Sequence, residues 1–225
     1  MELTKEQMQY LDTLLLKKGI RYWDVRLEML DHLATSIEEK MNEDLKFEEA
    51  VESAFVDLNW KGSLSDLNRK MCKEVNEKCR NIYGKEIIGF FKSARNVVLL
   101  FSFVAFEQYL SNTISLESFT ELNYQFFFLP LVIVVYYGFL NIQNKLGKSI
   151  YHIQGFFYMT LSFLVLNMFL LLVVTKNMFS LKDTGMIVAT TALISIHFIL
   201  SYAGVKVYRK AQADVLEMKK VKQTL

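Results

Sequence analysis

Four apolar runs crowd the second half of this chain and set the terms for any fold it adopts. They extend over Val97–Ile114, Tyr124–Ile142, Ile150–Val174 and Gly185–Val207. Each approaches the ~20 residues that a helix needs to cross a hydrocarbon core of ~30 Å at ~1.5 Å per residue. Solvent, rather than propensity, dictates the helix: lipid offers backbone amides no partner, and a helix satisfies its own. Membrane strands would be ~10 residues long and alternate in polarity, whereas Phe169-Leu170-Leu171-Leu172-Val173-Val174 does not alternate. A soluble four-helix core would need polar outer faces, and these runs have almost none.

The rest of the chain is built differently. Its 225 residues leave room for about two ordinary domains. A content of 52% hydrophobic and 22% charged residues fits a division into a charged half and an apolar half. Residues 1–95 carry 16 Lys+Arg against 18 Asp+Glu, while residues 96–225 carry 10 against 6. A net charge of +2 gives no compositional case for nucleic acid, and the basic C-terminal residues lack stacking aromatics. Two cysteines cannot staple a secreted scaffold. Cys72 and Cys79 sit seven apart on one helical face, ~10 Å along the axis, which is too far for a disulfide. The single proline argues against a loop-rich β fold. The N-terminus, Met1-Glu2-Leu3-Thr4-Lys5-Glu6, lacks the apolar core of a cleaved signal peptide.

Basic residues beside the spans orient them. Arg80, Lys85, Lys92 and Arg95 precede the first; Ser115–Asn123, which follows it, has Glu117 and Glu121 but no Lys or Arg. Lys145 and Lys148 follow the second span, Lys176, Lys182 and Asp183 follow the third, and Lys206, Arg209, Lys210, Lys219, Lys220 and Lys222 close the chain. The expected arrangement is an integral membrane protein with both termini cytoplasmic. Pro130 lies near the start of the second span, where it kinks the helix unless that turn is still unpaired. Tyr109, Tyr124, Tyr151 and Tyr208 fall near expected interfaces. No span holds a Gly-x-x-x-Gly pair.

Helical periodicity marks residues 1–95. Thr4-Lys5-Glu6-Gln7 reads as a capping box, followed by Met8, Leu11 and Leu15 on one face and by Gly19 as terminator. A second helix carries Trp23, Leu27, Leu30, Leu33, Ile37 and Met41. A third carries Phe47, Ala50, Val51, Ala54, Phe55 and Leu58, and Gly62-Ser63 then punctuate. A fourth, with Leu64, Leu67, Met71, Val75, Cys79 and Ile82, continues through Ile87, Ile88, Phe90 and Phe91. Lys85, Lys92 and Arg95, interleaved with those apolar residues, suit an anionic membrane surface, and Gly84 and Gly89 offer places to turn.

The run Asp24-Val25-Arg26-Leu27-Glu28-Met29-Leu30-Asp31-His32-Leu33, with Ile37-Glu38-Glu39 and Phe47-Glu48-Glu49-Ala50-Val51, resembles the bacterial HAAS module, also called the DUF1700 or permease-prefix domain. The resemblance covers about residues 4–75. The turn Trp60-Lys61-Gly62-Ser63 stands where that family usually has Gly-acid-Pro. The resemblance implies a cytoplasmic helical prefix on a multi-span membrane protein, working in signalling or regulation.

Two constellations stand out chemically. Asp24, Glu28 and His32 share a helix face with Asp31 beside them, a pattern open to a partner or a divalent cation, to a solvated face, or to a carboxylate–imidazole tie. Zinc would need further ligands, which no Cys/His cluster supplies, so neither metal nor cofactor is expected. Glu107 and His197 lie ~15 Å deep on the first and fourth spans, where an ionisable group needs a partner or a polar cavity. The two could hydrogen-bond across the bundle, with Ser195, Thr191 and Gln108 extending the network. The pattern is open to a proton- or cation-responsive site, to an interhelical polar clamp, or to a shorter first span that puts Glu107 near the outer interface. Gly147-Lys148-Ser149 imitates a phosphate loop, but Ile142 occupies the position that needs glycine.

The expectation is therefore an all-α chain of three parts. Residues 1–93 form a cytoplasmic helical domain ending in a juxtamembrane amphipathic helix, 94–208 form four transmembrane helices, and 209–225 form a basic cytoplasmic tail. Lys85, Lys92, Arg95, Arg209 and Lys210 meet membrane lipid. No complete catalytic motif is present, and the role expected is regulatory or accessory, with a protein partner or a second copy bound by the helical module. The competing expectation is a small transporter or transporter subunit using Glu107 and His197.

Overall fold

The computed structural model describes residues 2–60, 64–143, 148–175 and 183–224, and their regular structure is entirely helical. The chain divides into two compact units. Met1–Lys78, Leu146–Gln154 and Ala211–Leu225 form the first, and Cys79–Lys145 with Gly155–Lys210 the second. Lys145, Lys176 and Lys182, which entered the orientation reading, lie outside the described residues, as do Gly62, Ser63 and Gly147.

In the first unit, α1 (Lys5–Lys17) begins with the expected capping box. Gln7 N–H donates to Thr4 Oγ1 at 3.3 Å, and Thr4 N–H donates to Gln7 Oε1 at 2.8 Å. Glu6 sits in that turn, where its own backbone N–H and the Thr4 hydroxyl hold its carboxyl below the usual range. Gly19, at φ +103°, ends the element in a conformation that a side chain would strain. Helix α2 (Trp23–Asn42) packs on α1 and on α3 (Phe47–Asp57). Asp44 and Asn59 follow α2 and α3 with positive φ, the left-handed C-terminal position that short polar residues tolerate. Leu11, Leu15, Met29, Leu33 and Ile37 are fully buried, with Ala54 and Phe55 beside them. Each large apolar side chain so enclosed contributes roughly 1.5–3 kcal/mol. Arg26 ties the first two helices together. Its Nε donates to Asp12 Oδ1 at 2.7 Å and its Nη1 to the Ile20 carbonyl at 3.0 Å.

The second unit begins within α4 (Ser65–Lys92). This helix runs straight through Gly84 and Gly89. The direction changes by 77° at Ser93, which caps α5 (Ala94–Thr113) by accepting from Asn96 N–H. An N-cap residue, not a glycine, makes the turn. Ser115 in turn caps α6 (Leu116–Phe126), so the expected connection between the first two spans is a helix. It continues after a two-residue break into α7 (Leu129–Gln143). The remaining elements are α8 (Ile150–Thr160), a 3-10 turn (Leu161–Phe163), α9 (Leu164–Thr175) and α10 (Asp183–Thr224).

Among the described residues, three segments are long and apolar enough to cross a membrane: Leu116–Gly138, Ile150–Val174 and Asp183–Lys220. A fourth arises if α4 and α5 count together across their bend, which places the expected span 97–114 in α5. The span expected from Tyr124 starts at Leu116, because Glu117, Glu121 and Asn123 lie on an amphipathic helix rather than in a loop. The apolar residues turn outward. Phe101, Val132 and Val174 are 69%, 69% and 78% exposed, an arrangement suited to lipid and costly in water. Membrane protein is the class this defines. Helix α10 is continuous to Thr224 and takes in residues 209–224. Ala211 and Val215 are buried on its inner face.

Inside the second unit, Phe127, Val165, Phe169 and Ile194 form one cluster, and Val134, Met159 and Tyr208 another. Tyr208 is fully buried, with its hydroxyl donating to the Tyr137 carbonyl at 3.4 Å; it is a core residue and not an interfacial one. A Cβ at Gly204 would fall 2.5 Å from the Tyr158 carbonyl oxygen and 2.8 Å from Met159 Cα. One glycine therefore brings α10 against the α8 backbone without a Gly-x-x-x-Gly pair.

Candidate functional site

In the first unit a cleft of about 790 Å³ opens where four stretches of chain meet. Its floor is apolar, from Leu3, Met8, Leu27, Ala34 and Met218. Its rim is acidic, from Glu2, Glu28, Asp31 and Glu38, with Lys5 the cation among the lining residues. Glu38 Oε1 accepts from Leu3 N–H at 3.0 Å, which fixes the N-terminal strand of chain over α2.

The acidic face singled out in the sequence divides here. Asp24 is buried and fully engaged. Its Oδ2 accepts from Ser149 Oγ at 2.7 Å, from Ile150 N–H at 2.8 Å and from Tyr151 N–H at 3.1 Å, while Oδ1 accepts from Val25 N–H at 3.0 Å. Ser149 Oγ itself accepts from His152 N–H at 3.2 Å, and the Lys148 carbonyl accepts from Trp23 N–H at 3.2 Å. A carboxylate thus sits at the N-terminus of α8, where unpaired amides and the helix dipole both favour negative charge. The Lys148-Ser149 pair of the phosphate-loop imitation is a helix cap. Glu28, Asp31 and His32 are exposed; the first two border the cleft, and His32 is not among its lining residues. Among the described residues, no group of three or more His, Cys, Asp or Glu side chains is placed to hold a metal ion.

In the same unit Lys78 Nζ lies 3.2 Å from Asp214 Oδ2 and 4.8 Å from the centre of the Tyr151 ring. These contacts join α4, α10 and the start of α8 close to the cleft wall. Sequence reading had no access to them, since the partners lie far apart in the chain.

The second unit holds a buried polar layer. Glu107 and His197 are both fully enclosed, but no hydrogen bond between them is present among the described residues. Glu107 Oε2 accepts from Asn123 Nδ2 at 2.8 Å, and that amide group also donates to the Phe119 carbonyl at 3.1 Å. Among the described residues, Glu107 Oε1 and Asn123 Oδ1 find no partner. Both are acceptors, so what the pair lacks is a hydrogen-bond donor.

His197 reaches two freed carbonyls. Nδ1 lies 2.9 Å from the Ser162 oxygen and Nε2 3.1 Å from the Phe127 oxygen. Each carbonyl is available because a helix is interrupted: Ser162 lies in the 3-10 turn, and Phe127 in the break ahead of Pro130, where Leu131 N–H goes to Phe128 instead. Carbonyl oxygens only accept, so the ring satisfies both when both nitrogens carry hydrogen. Ser201 Oγ donates to Ser162 Oγ at 2.8 Å, extending the layer. Gln108 and Ser195 do not extend the layer: Gln108 is exposed, and Ser195 Oγ is buried with no partner among the described residues.

The basic residues assigned to the membrane surface, Lys85, Lys92, Arg95, Arg209 and Lys210, are all exposed. No family model, curated protein or solved structure matches the chain.

Proposed function

We propose that this is a regulatory or accessory protein of a bacterial inner membrane, with both termini cytoplasmic. In this reading the N-terminal helical module holds a basic amphipathic segment of a protein partner in its cleft. The observation that carries the proposal is the pairing of an apolar floor with an acidic rim, which complements a helix with one apolar and one cationic face. Further support comes from α8 and α10, which contribute residues both to this unit and to the membrane-crossing segments. The resemblance of residues 4–75 to permease-prefix modules points the same way.

The test is affinity purification from membranes in mild detergent, run on the wild type and on a Glu28→Lys/Asp31→Lys variant. Both side chains are exposed, so the fold survives the change. A partner retained by the wild type and by a Lys85→Gln control, but lost from the charge-reversed protein, supports the reading. A partner held equally by all three overturns it. The transporter alternative draws on Glu107 Oε1, which finds no partner among the described residues. It requires pH-dependent transport in proteoliposomes that Glu107→Gln abolishes.

A further inference from the structure

A narrow groove of about 380 Å³ runs along the second unit between α7 and α10. Leu129, Pro130 and Ile133 form one wall, and Phe198 and Val205 the other. Lys206 and Arg209 stand together at one end. They are one turn apart on the same helix face, both exposed, and neither forms an ion pair among the described residues. Lys206 Nζ lies 5.5 Å from the centre of the Tyr202 ring.

Where these cations fall along α10 matters as much as their charge. From Gly185 to Val205 the helix has no Asp, Glu, Lys or Arg, so Lys206 marks the level where hydrocarbon gives way to headgroups. From Lys206 back to Phe198 the helix rises about 12 Å at ~1.5 Å per residue, most of one half of a ~30 Å core, and Arg209 lies about 4.5 Å further out among the headgroups. The groove therefore has the length of one leaflet, apolar along its course and doubly cationic at the headgroup end. Its outer wall is open to the bilayer, with Leu129 and Ile133 at 55% and 42% exposure. A volume of this size suits a chain-like ligand and is too small for a second helix ~10 Å across.

We infer that this groove is a seat for an anionic phospholipid, one acyl chain lying against Pro130 and Phe198 and the phosphate held by Lys206 and Arg209. The guanidinium can grip two phosphate oxygens at once, and the ammonium adds a point charge. A zwitterionic lipid brings its own cation to a site that already holds two, so phosphatidylglycerol is preferred over phosphatidylcholine. The inference rests on the membrane-embedded reading of α7 and α10.

The test uses the full chain in mild detergent, with native mass spectrometry to count retained lipid and thermal unfolding to measure its effect. The wild type is expected to retain phosphatidylglycerol over phosphatidylcholine by about tenfold and to melt higher when it is added. Lys206→Gln/Arg209→Gln removes that preference, whereas Lys85→Gln/Lys92→Gln keeps it. Ile133→Trp fills the groove and lowers retention with both cations still in place. Equal retention of the two lipids, or stabilisation by inorganic phosphate as strong as by phosphatidylglycerol, overturns the inference. Loss of the chain from membranes in a carbonate wash breaks the membrane reading itself; a carbonate-resistant protein without lipid preference sinks the seat alone.

Discussion

Asp24 and Glu107 are both buried carboxylates, and the two units that enclose them treat them in opposite ways. Asp24 accepts four hydrogen bonds, three of them at the start of a helix. Among the described residues Glu107 accepts one, and its second oxygen finds no partner. The surroundings are inverted as well. The first unit encloses Leu11, Leu33 and Ile37 and leaves Glu28 and Asp31 in the open, while the second encloses Asn123, Ser162 and His197 and turns Phe101 and Val132 outward. The lesson concerns solvent. A unit surrounded by water is held by its apolar centre and tolerates a buried charge only when that charge is fully satisfied. A unit surrounded by hydrocarbon draws less from burying apolar groups and relies on close packing and shared polar contacts.

The sharpest way to break that contrast is at Asp24. Asp24→Leu leaves the Ser149 hydroxyl and the Ile150 and Tyr151 amides without their acceptor, at a cost of about 4 kcal/mol. Hydrogen exchange at Ile150 and Tyr151 should rise sharply while α5 and α6 stay protected. Unchanged exchange would mean that the cap contributes little to stability.

A somewhat smaller loss is expected at Gly204, where the second unit depends on packing rather than polarity. Gly204→Ala forces α10 away from the Tyr158 backbone and should cost about 2–3 kcal/mol in detergent. The same change at Gly84, where an added Cβ meets nothing within 4 Å, should be neutral or slightly stabilising. Equal melting of the two variants would remove the close approach from the account.

The carboxylates themselves supply the third comparison. Glu107→Gln keeps an acceptor for Asn123 and should alter stability by less than about 1 kcal/mol, whereas Glu107→Leu leaves one N–H of the Asn123 amide without its acceptor and costs about 2 kcal/mol. A Gln variant as damaged as the Leu variant would show that the negative charge, and not the hydrogen bond, is what α5 and α6 share.

The smallest effect lies at Glu6. Its carboxyl is held below the ordinary range, so the capped turn gains stability above the ordinary glutamate value and loses it as pH falls through the depressed one. An NMR titration should place its midpoint below those of glutamates outside such a turn, and Thr4→Ala should move it upward.

Local signals in the sequence carried far. The capping box at Thr4, the terminator at Gly19 and the stripes of α1 to α3 depend on neighbours within a few turns, and each is legible without tertiary knowledge. Pro130 was legible as a point of trouble in the second span, and it sits in the first turn of α7 with the break just before it. What stayed hidden depends on meetings across the chain. Asp24 could be seen to share a face with Glu28 and His32, but nothing local announces that Ser149 will come to it. Helix α6 was hidden for a different reason. Its acids make it look like a loop, and only the buried pair of Phe119 and Asn123 shows which face lies inward. Gly204 escaped because a rule that looks for two spaced glycines passes over one beside Ser201 and Ala203.

Proline at position 130 and histidine at position 197 have a joint fate. If the ring at 130 were exchanged for a side chain whose amide let α6 and α7 fuse, the Phe127 oxygen would be claimed by its own helix and the imidazole would lose a contact. Replacing the imidazole alone strands the Phe127 oxygen, because Leu131 N–H is engaged at Phe128. The two changes together should hurt less than the sum of each, a departure from additivity that a double-mutant cycle reads directly. Inheritance should therefore favour exchanging both residues or neither.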